Sequence, residues 1–235
     1  MAALLQSELF ILLLIVVVYV LAFKLQQKTH IVILNPILIS IIIIIVILLV
    51  FRIDYDTFHK GSRIIEFFLK PAIVALGVPL YQQLEKIKKQ AVLILISQLV
   101  GCIVGVVSVV LIAKMFGASK EIIYSLAPKS VTTPIAIEIS QSIGGIPSLT
   151  ASVVVVVGIF GAVFGYTIMK WTKVKNPIAQ GLSMGTAAHA VGTSKSMEIG
   201  QSFGAMSSIG LIVNGIFTAI LTPYILTVLG WWIKF

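Results

Sequence analysis

The chain contains several runs of about 20 apolar residues, and these runs restrict the folds it can adopt. The clear runs are residues 4–23, 31–51, 91–116, 147–170 and 206–230. Because an α-helix needs about 20 mostly apolar residues to cross a bilayer, each run predicts a transmembrane helix. Residues 64–80 are shorter and predict a sixth, irregular span, on which Glu66 and Lys70 can pair at i,i+4.

The composition excludes most soluble classes of protein. Of the 235 residues, 59% are hydrophobic and only 11% are charged, which indicates an integral membrane protein. The net charge of +9 comes from lysines that flank apolar runs, so membrane topology explains it better than nucleic-acid binding. No cofactor or metal motif occurs, and we expect neither group. The first apolar run lacks the features of a cleaved signal, so we expect it to remain as an anchor.

Two tracts interrupt the apolar pattern, at residues 121–145 and 177–204. Pro128 and Pro134 should break a helix in the first tract, and three glycines weaken the second: Gly181, Gly185 and Gly192. A broken backbone at membrane depth is tolerated only where protein or a water-filled cavity satisfies its polar groups. Each tract is therefore either a discontinuous crossing helix or a re-entrant hairpin.

The distribution of basic residues favours the hairpin for the first tract. With an external N-terminus, a hairpin places eight basic residues on the cytoplasmic side and six outside, whereas a crossing helix places five inside and nine outside. Cytoplasmic loops of membrane proteins carry an excess of Lys and Arg.

The two tracts are also related to each other. Residues 127–148 and 187–208 are identical at nine of 22 positions when the chain is shifted by 60 residues. One span separates the tracts, so two hairpins would enter from opposite faces and form an inverted repeat.

The predicted fold is therefore an all-α integral membrane protein. We expect about six transmembrane helices plus two re-entrant or broken helical hairpins. Residues 1–116 should form a scaffold of transmembrane helices. Residues 121–235 should form the inverted-repeat core, with units at about 121–170 and 177–230.

Lys129 is the first candidate for binding a substrate carboxylate. A lysine at the centre of a membrane helix costs about 2.5–3.5 kcal/mol, so it should face a cavity or a partner. The alternatives are a pair with Glu138 and a side chain that extends to the interface. His189 occupies the repeat position of Lys129 and is a candidate for substrate binding or proton relay. Its alternative role is that of a hydrogen-bonded structural residue.

Hydroxyl groups near both positions can act as substrate ligands or helix caps. These candidates are Ser130, Thr132, Thr133, Thr193, Ser194 and Ser196. Lys195 is a further candidate ligand, or a local partner of Glu198. Glu138 and Glu198 are candidates for proton or sodium coupling, or for bracing exposed amides at the breaks. Asn214 lies mid-span and should hydrogen-bond to a neighbouring helix.

The same tracts resemble the LrgB/CidB family of membrane proteins. The similarity is carried by "LAPKSVTTPIAIEIS" at residues 126–140 and by "GTAAHAVGTSKSMEIGQ" at residues 185–201. A third stretch, "FLKPAIVALGVPLY" at residues 68–81, resembles another family tract. Family members usually have a small residue where this chain has Lys70.

The resemblance implies two descriptions of function. Holin-like and antiholin-like members act with a small LrgA/CidA-type membrane protein in the control of murein hydrolases and autolysis. Others resemble transporters of small carboxylates such as pyruvate or glycolate. An inverted pair of broken elements is typical of secondary transporters. We therefore expect a multi-pass monocarboxylate transporter of the bacterial cell membrane, and the regulator of autolysis is the alternative.

The expected mechanism and partners follow from that choice. A substrate carboxylate should bind between Lys129, the hydroxyls of residues 130–134 and residues 193–196, and the repeats should move by alternating access. We expect an LrgA/CidA-like partner and a homo-oligomer in the lipid bilayer, and we expect neither nucleic-acid binding nor enzymatic activity.

Overall fold

The computed structural model describes residues 7–29, 34, 36–75, 78, 81 and 84–233. These residues form α-helices and connecting segments and contain no β-strand. The chain divides into two compact units, Met1–Leu76 and Gly77–Phe235. Both interrupted tracts lie in the second unit. The division into a scaffold and a repeat core remains a prediction.

The described part of the first unit consists of α1 (Glu8–Thr29), α2 (Pro36–Val50) and α3 (Tyr55–Ala75). Helices α2 and α3 both pack on α1. Gly61 of α3 lies against Ile11 of α1, which is fully buried, and a larger side chain at Gly61 would collide with it. Many large apolar side chains of α1 and α2 are exposed, as expected for helices that face lipid.

The second unit contains the remaining described helices. They are α4 (Leu84–Lys89), α5 (Ala91–Met115), α6 (Lys120–Leu126), α7 (Thr133–Ile143), α8 (Pro147–Trp171), α9 (Pro177–Ile199) and α10 (Gln201–Ile233). Helices α5 and α10 lie side by side. Ile94 packs with Met206 in one buried cluster, and Val110 packs with Leu226 in another. The two helices therefore run in the same direction.

Residues 127–132 separate α6 from α7. Pro134 lies in the first turn of α7, where its missing N–H removes no helical hydrogen bond. Ser125 of α6 and Ser140 of α7 both contact Thr150 of α8: the Thr150 hydroxyl oxygen lies 3.0 Å from the Ser125 carbonyl oxygen and 2.7 Å from Ser140 Oγ. Since both residues reach the same point on α8, α6 and α7 fold back on each other as a hairpin.

Helix α9 is broken at His189, whose backbone is non-helical (φ 41°, ψ −133°). Met184, before the break, lies against Gly165 of α8. Ser196, after the break, accepts a hydrogen bond from the hydroxyl of Tyr166, which also lies on α8. Twelve residues of continuous helix would span about 18 Å, so these neighbouring contacts require the two halves of α9 to fold back.

This break does not lie at any of the three glycines that were expected to weaken the second tract. The glycines of the second tract do not interrupt the helix; Gly181 and Gly185 are sites of close contact with α10, and Gly192 lies against Ala188 across the fold. The reason is that glycine only weakens a helix, whereas the missing side chain allows two helices to approach closely.

Four of the described helices are long and apolar enough to cross a membrane: Glu8–Thr29, Ala91–Met115, Pro147–Trp171 and Gln201–Trp232. The run at 31–51 forms the shorter helix Pro36–Val50. The region 64–80 lies partly in α3, which includes Pro71. Six spans remain a prediction, and the pair of Glu66 and Lys70 lies outside the described side chains.

Gly185 offers a test of this packing. A Cβ at this position would collide with the Ser207 carbonyl and would lie 2.7 Å from the Leu211 amide nitrogen, and both are main-chain atoms that cannot move aside. We expect Gly185→Ala to destabilise the protein by about 1–3 kcal/mol, measured as a lower melting temperature in detergent.

Gly215→Ala on α10 is the matched control, because its Cβ would have its nearest neighbour at 3.5 Å. This variant should melt at or slightly above the wild-type temperature, since alanine favours a helix by about 1 kcal/mol over glycine. Equal melting temperatures for the two variants would contradict the close contact at Gly185.

Candidate functional site

The two interrupted elements approach each other along α5. Thr186, near the end of the first half of α9, donates its hydroxyl to Gln98 of α5 and also lies against Gly101. One turn further along α5, Gly105 lies beside Ser130 in the break between α6 and α7. The missing side chain of Gly101 leaves room for Thr186, and both interrupted elements reach α5 near its middle.

A single side chain bonds to the main chain of both elements. Asn214 of α10 is 1% exposed. Its Nδ2 lies 3.1 Å from the Ser130 carbonyl oxygen and 3.1 Å from the Thr186 carbonyl oxygen. The predicted hydrogen bond from Asn214 to a neighbouring segment is therefore confirmed, and it is made twice.

The breaks explain why these two carbonyls need an outside donor. The helical partner of the Ser130 carbonyl would be the N–H of residue 134, which is a proline and has none. The helical partner of the Thr186 carbonyl would be Ala190, which lies beyond the non-helical His189. An unpaired carbonyl costs several kcal/mol in the bilayer interior, so the Asn214 amide replaces bonds that the breaks remove.

His189 makes the corresponding contact from the second tract. It is 3% exposed, and its Nε2 lies 2.9 Å from the Val154 carbonyl oxygen of α8. A carbonyl only accepts, so Nε2 carries the proton. Gly158 leaves room for the ring. Each break is therefore bonded to the helix that follows the other tract, and the two helix residues, Val154 and Asn214, are 60 residues apart.

Lys129 lies in the first break and is half-buried. Its Nζ donates to Ser130 Oγ at 3.1 Å. Helix α7 starts four residues later, and a helix N-terminus carries about half a positive charge. The polar region around Lys129 and Ser130 is therefore positive and suits an anion.

The other hydroxyls of the first tract lie at the start of α7. Thr132 is buried and Thr133 is half-buried. Thr132 occupies the N-cap position of α7, yet its side chain makes no capping hydrogen bond.

In the second tract, two hydroxyls are buried in the packing between helices. Thr193 Oγ1 donates to the His189 carbonyl and lies 2.9 Å from Ser207 Oγ. Ser196 Oγ donates to the Gly192 carbonyl. Side chains that bond to the carbonyl four residues earlier are typical of Ser and Thr in membrane helices.

The remaining candidates are at the surface of the chain. Ser194 is exposed, and Lys195 Nζ pairs with Glu198 Oε2 at 2.7 Å. Lys195 therefore forms the local ion pair with Glu198 that was the alternative to a role as a substrate ligand. Glu138 is also exposed. Whether either glutamate couples transport to an ion stays a prediction.

Several residues near the breaks were not predicted from the sequence. Gln98, Cys102 and Thr186 lie where the breaks meet, and Cys102 Sγ is 3.5 Å from Thr218 Oγ1. The available signal was the stretch "GCIVG" at residues 101–105, because two glycines four residues apart allow close helix packing in membranes.

Known proteins are similar to this sequence over nearly its whole length. The sequence model of the LrgB-like family matches residues 15–228. Holin-like protein CidB of Staphylococcus aureus is 38% identical over 220 residues, which cover 94% of this chain and 96% of the relative.

Two further relatives have similar coverage. Holin-like protein CidB of Staphylococcus epidermidis is 39% identical over 222 residues, covering 94% of this chain and 96% of the relative. The uncharacterized protein YwbG of Bacillus subtilis is 36% identical over 212 residues, covering 90% and 94%. No solved structure matches the chain.

Replacing Asn214 tests its role in joining the breaks. Asn214→Leu keeps the branched shape of the side chain but leaves the Ser130 and Thr186 carbonyls without their amide donor. We expect a loss of about 1–3 kcal/mol in stability, measured as a lower melting temperature in detergent.

Thr222→Val on the same helix is the control. Thr222 is fully buried, and its hydroxyl oxygen has no hydrogen-bond partner among the described residues, so a methyl group in its place should leave stability unchanged or raise it. If Asn214→Leu is as stable as Thr222→Val, the two hydrogen bonds do not stabilise the breaks.

Proposed function

The chain belongs to the LrgB-like family and is a multi-pass bacterial membrane protein, and we propose that it transports small monocarboxylates of the pyruvate or glycolate type. The observation that carries the proposal is the meeting of two helix breaks beside Lys129, with Asn214 bonded to both. A pore built only from continuous helices has no need for such an arrangement.

An inverted repeat is part of this proposal. Its support is the reciprocal pair of contacts, His189 to Val154 and Asn214 to Ser130. Both contacts join a break to a helix. The two helix residues, Val154 and Asn214, are 60 positions apart, and the two break residues, Ser130 and His189, are 59 positions apart. Discontinuous helices that meet near the midplane form the substrate sites of many secondary transporters.

The charge of the site supports an anionic substrate. Lys129 supplies a cation and α7 supplies a positive helix end, and the two carboxylates of the repeat, Glu138 and Glu198, lie on exposed surfaces. Ser130 adds a hydroxyl that is bonded to Lys129. We propose that the substrate carboxylate binds to Lys129 and Ser130.

Alternating access requires the breaks to separate and to meet again. We propose that the hairpins of α6–α7 and α9 rearrange against α5 and α10 as the site opens to either side. An LrgA/CidA-like membrane protein as partner and assembly into a homo-oligomer belong to the same proposal.

A second candidate is an antiholin-like regulator of murein hydrolases and autolysis. The observation that favours it is the name of two Staphylococcus relatives, which are described as holin-like proteins. A regulator can act through transport if autolysis responds to the flux of carboxylates.

Uptake measurements test the transport proposal. Proteoliposomes with the purified protein, with and without an LrgA/CidA-like partner, should take up labelled pyruvate or lactate with saturation. Lys129→Ala should lower uptake at least about tenfold, because a charge-assisted hydrogen bond contributes about 1.5–3 kcal/mol.

Lys170→Ala, which removes an exposed lysine in the last turn of α8, is the matched control and should transport normally. The absence of saturable uptake in both preparations would reject transport. In cells, an effect on autolysis that persists in Lys129→Ala would favour a regulatory role independent of transport.

A further inference from the structure

A small cavity lies next to the point where the breaks meet. It is lined by Gly101, Cys102, Gly105, Val106, Ala127, Ser130, Asn214 and Thr218. Its lining combines apolar surface with two hydroxyls, a thiol and an amide, and none of the described residues that line it is charged. The cavity has room for a group about the size of one water molecule.

The orientation of the Asn214 amide is fixed by its two partners. Both are carbonyl oxygens, which only accept, so the nitrogen must face them and both of its N–H groups are used. The opposite atom, Oδ1, is buried and has no hydrogen-bond partner in the described part of the chain. A flip of the amide would break both bonds. Asn214, which lines the cavity, therefore carries a fixed, unpaired acceptor.

An unpaired acceptor requires a hydrogen-bond donor or a cation. The ammonium of Lys129 is bonded to Ser130, and Ser130 itself lines the cavity. A second cation beside it would be repelled. A neutral donor such as a hydroxyl group avoids this repulsion and pairs with Oδ1.

We propose that Asn214 selects 2-hydroxy acids over 2-oxo acids. This inference rests on the proposed transport function. The substrate carboxylate binds to Lys129 and Ser130, and the 2-hydroxyl group enters the cavity and donates to Asn214 Oδ1. A 2-oxo group has no hydrogen to donate, and its oxygen faces the Asn214 oxygen. Sites built to bond a substrate hydroxyl reject analogues that lack it, because buried groups are then left unpaired.

Three acids of nearly equal size test this selectivity. Lactate, pyruvate and propionate carry a hydroxyl, an oxo group and two hydrogens at carbon 2. Each unlabelled acid competes for the uptake of labelled lactate and of labelled pyruvate into wild-type proteoliposomes. We expect lactate to bind at least about tenfold more tightly than either of the other two.

The outcomes separate this inference from the transport proposal. Equal affinities for the three acids, or tighter binding of pyruvate, would overturn the role of Asn214 while transport stands. A lack of saturable uptake for all three acids would reject transport and the selectivity together. Thr222→Val should retain the wild-type preference, because Thr222 does not line the cavity.

Cys102 provides a second readout that does not depend on transport. It is the single cysteine of the chain and it lines the cavity. A small thiol reagent should modify it slowly, and lactate should slow the reaction further at concentrations at which propionate and pyruvate do not. Cys102→Ser, which should not react, is the control. Equal protection by the three acids would contradict the proposal.

Discussion

The second unit depends on how two backbone carbonyls are paired at the helix breaks. In water, the carbonyls of Ser130 and Thr186 would bond to solvent at little cost. In a bilayer each must find a donor inside the protein. The Asn214 amide provides both bonds, and this requirement brings the two breaks to the same place on α10. The missing side chain of Gly101 allows Thr186 to lie against α5.

The same constraint links the fold to the proposed function. A break costs hydrogen bonds, and it also exposes polar groups and helix ends that a continuous helix hides. At the first break Lys129 bonds to Ser130 four residues before the start of α7, so the energetic cost of the break and the proposed anion binding share one origin. The reciprocal contact of His189 with Val154 gives the second break an equivalent attachment, which is consistent with a pair of related elements.

The sequence predicted parts of this site and missed others for identifiable reasons. Prolines located the first break, because the loss of an N–H is a local property of the chain. The second break falls at His189 and not at a glycine, since its bond to Val154 is made across 35 residues. Lys195 and Glu198 carry opposite charges three residues apart, and their pair needs only local geometry. Gln98 and Thr218 gave no local signal, because their importance comes from what packs beside them.

By itself, the sequence determined that the chain is helical and embedded in a membrane, which two tracts are interrupted, and to which family it belongs. Length of apolar runs, proline chemistry and sequence identity are properties of the chain alone. Only the tertiary structure decided that both halves of α9 fold back, that Asn214 joins the two breaks and that its oxygen is left unpaired beside a cavity. Hydrogen bonds between residues 28 and 84 positions apart depend on how helices pack, and no local pattern encodes them.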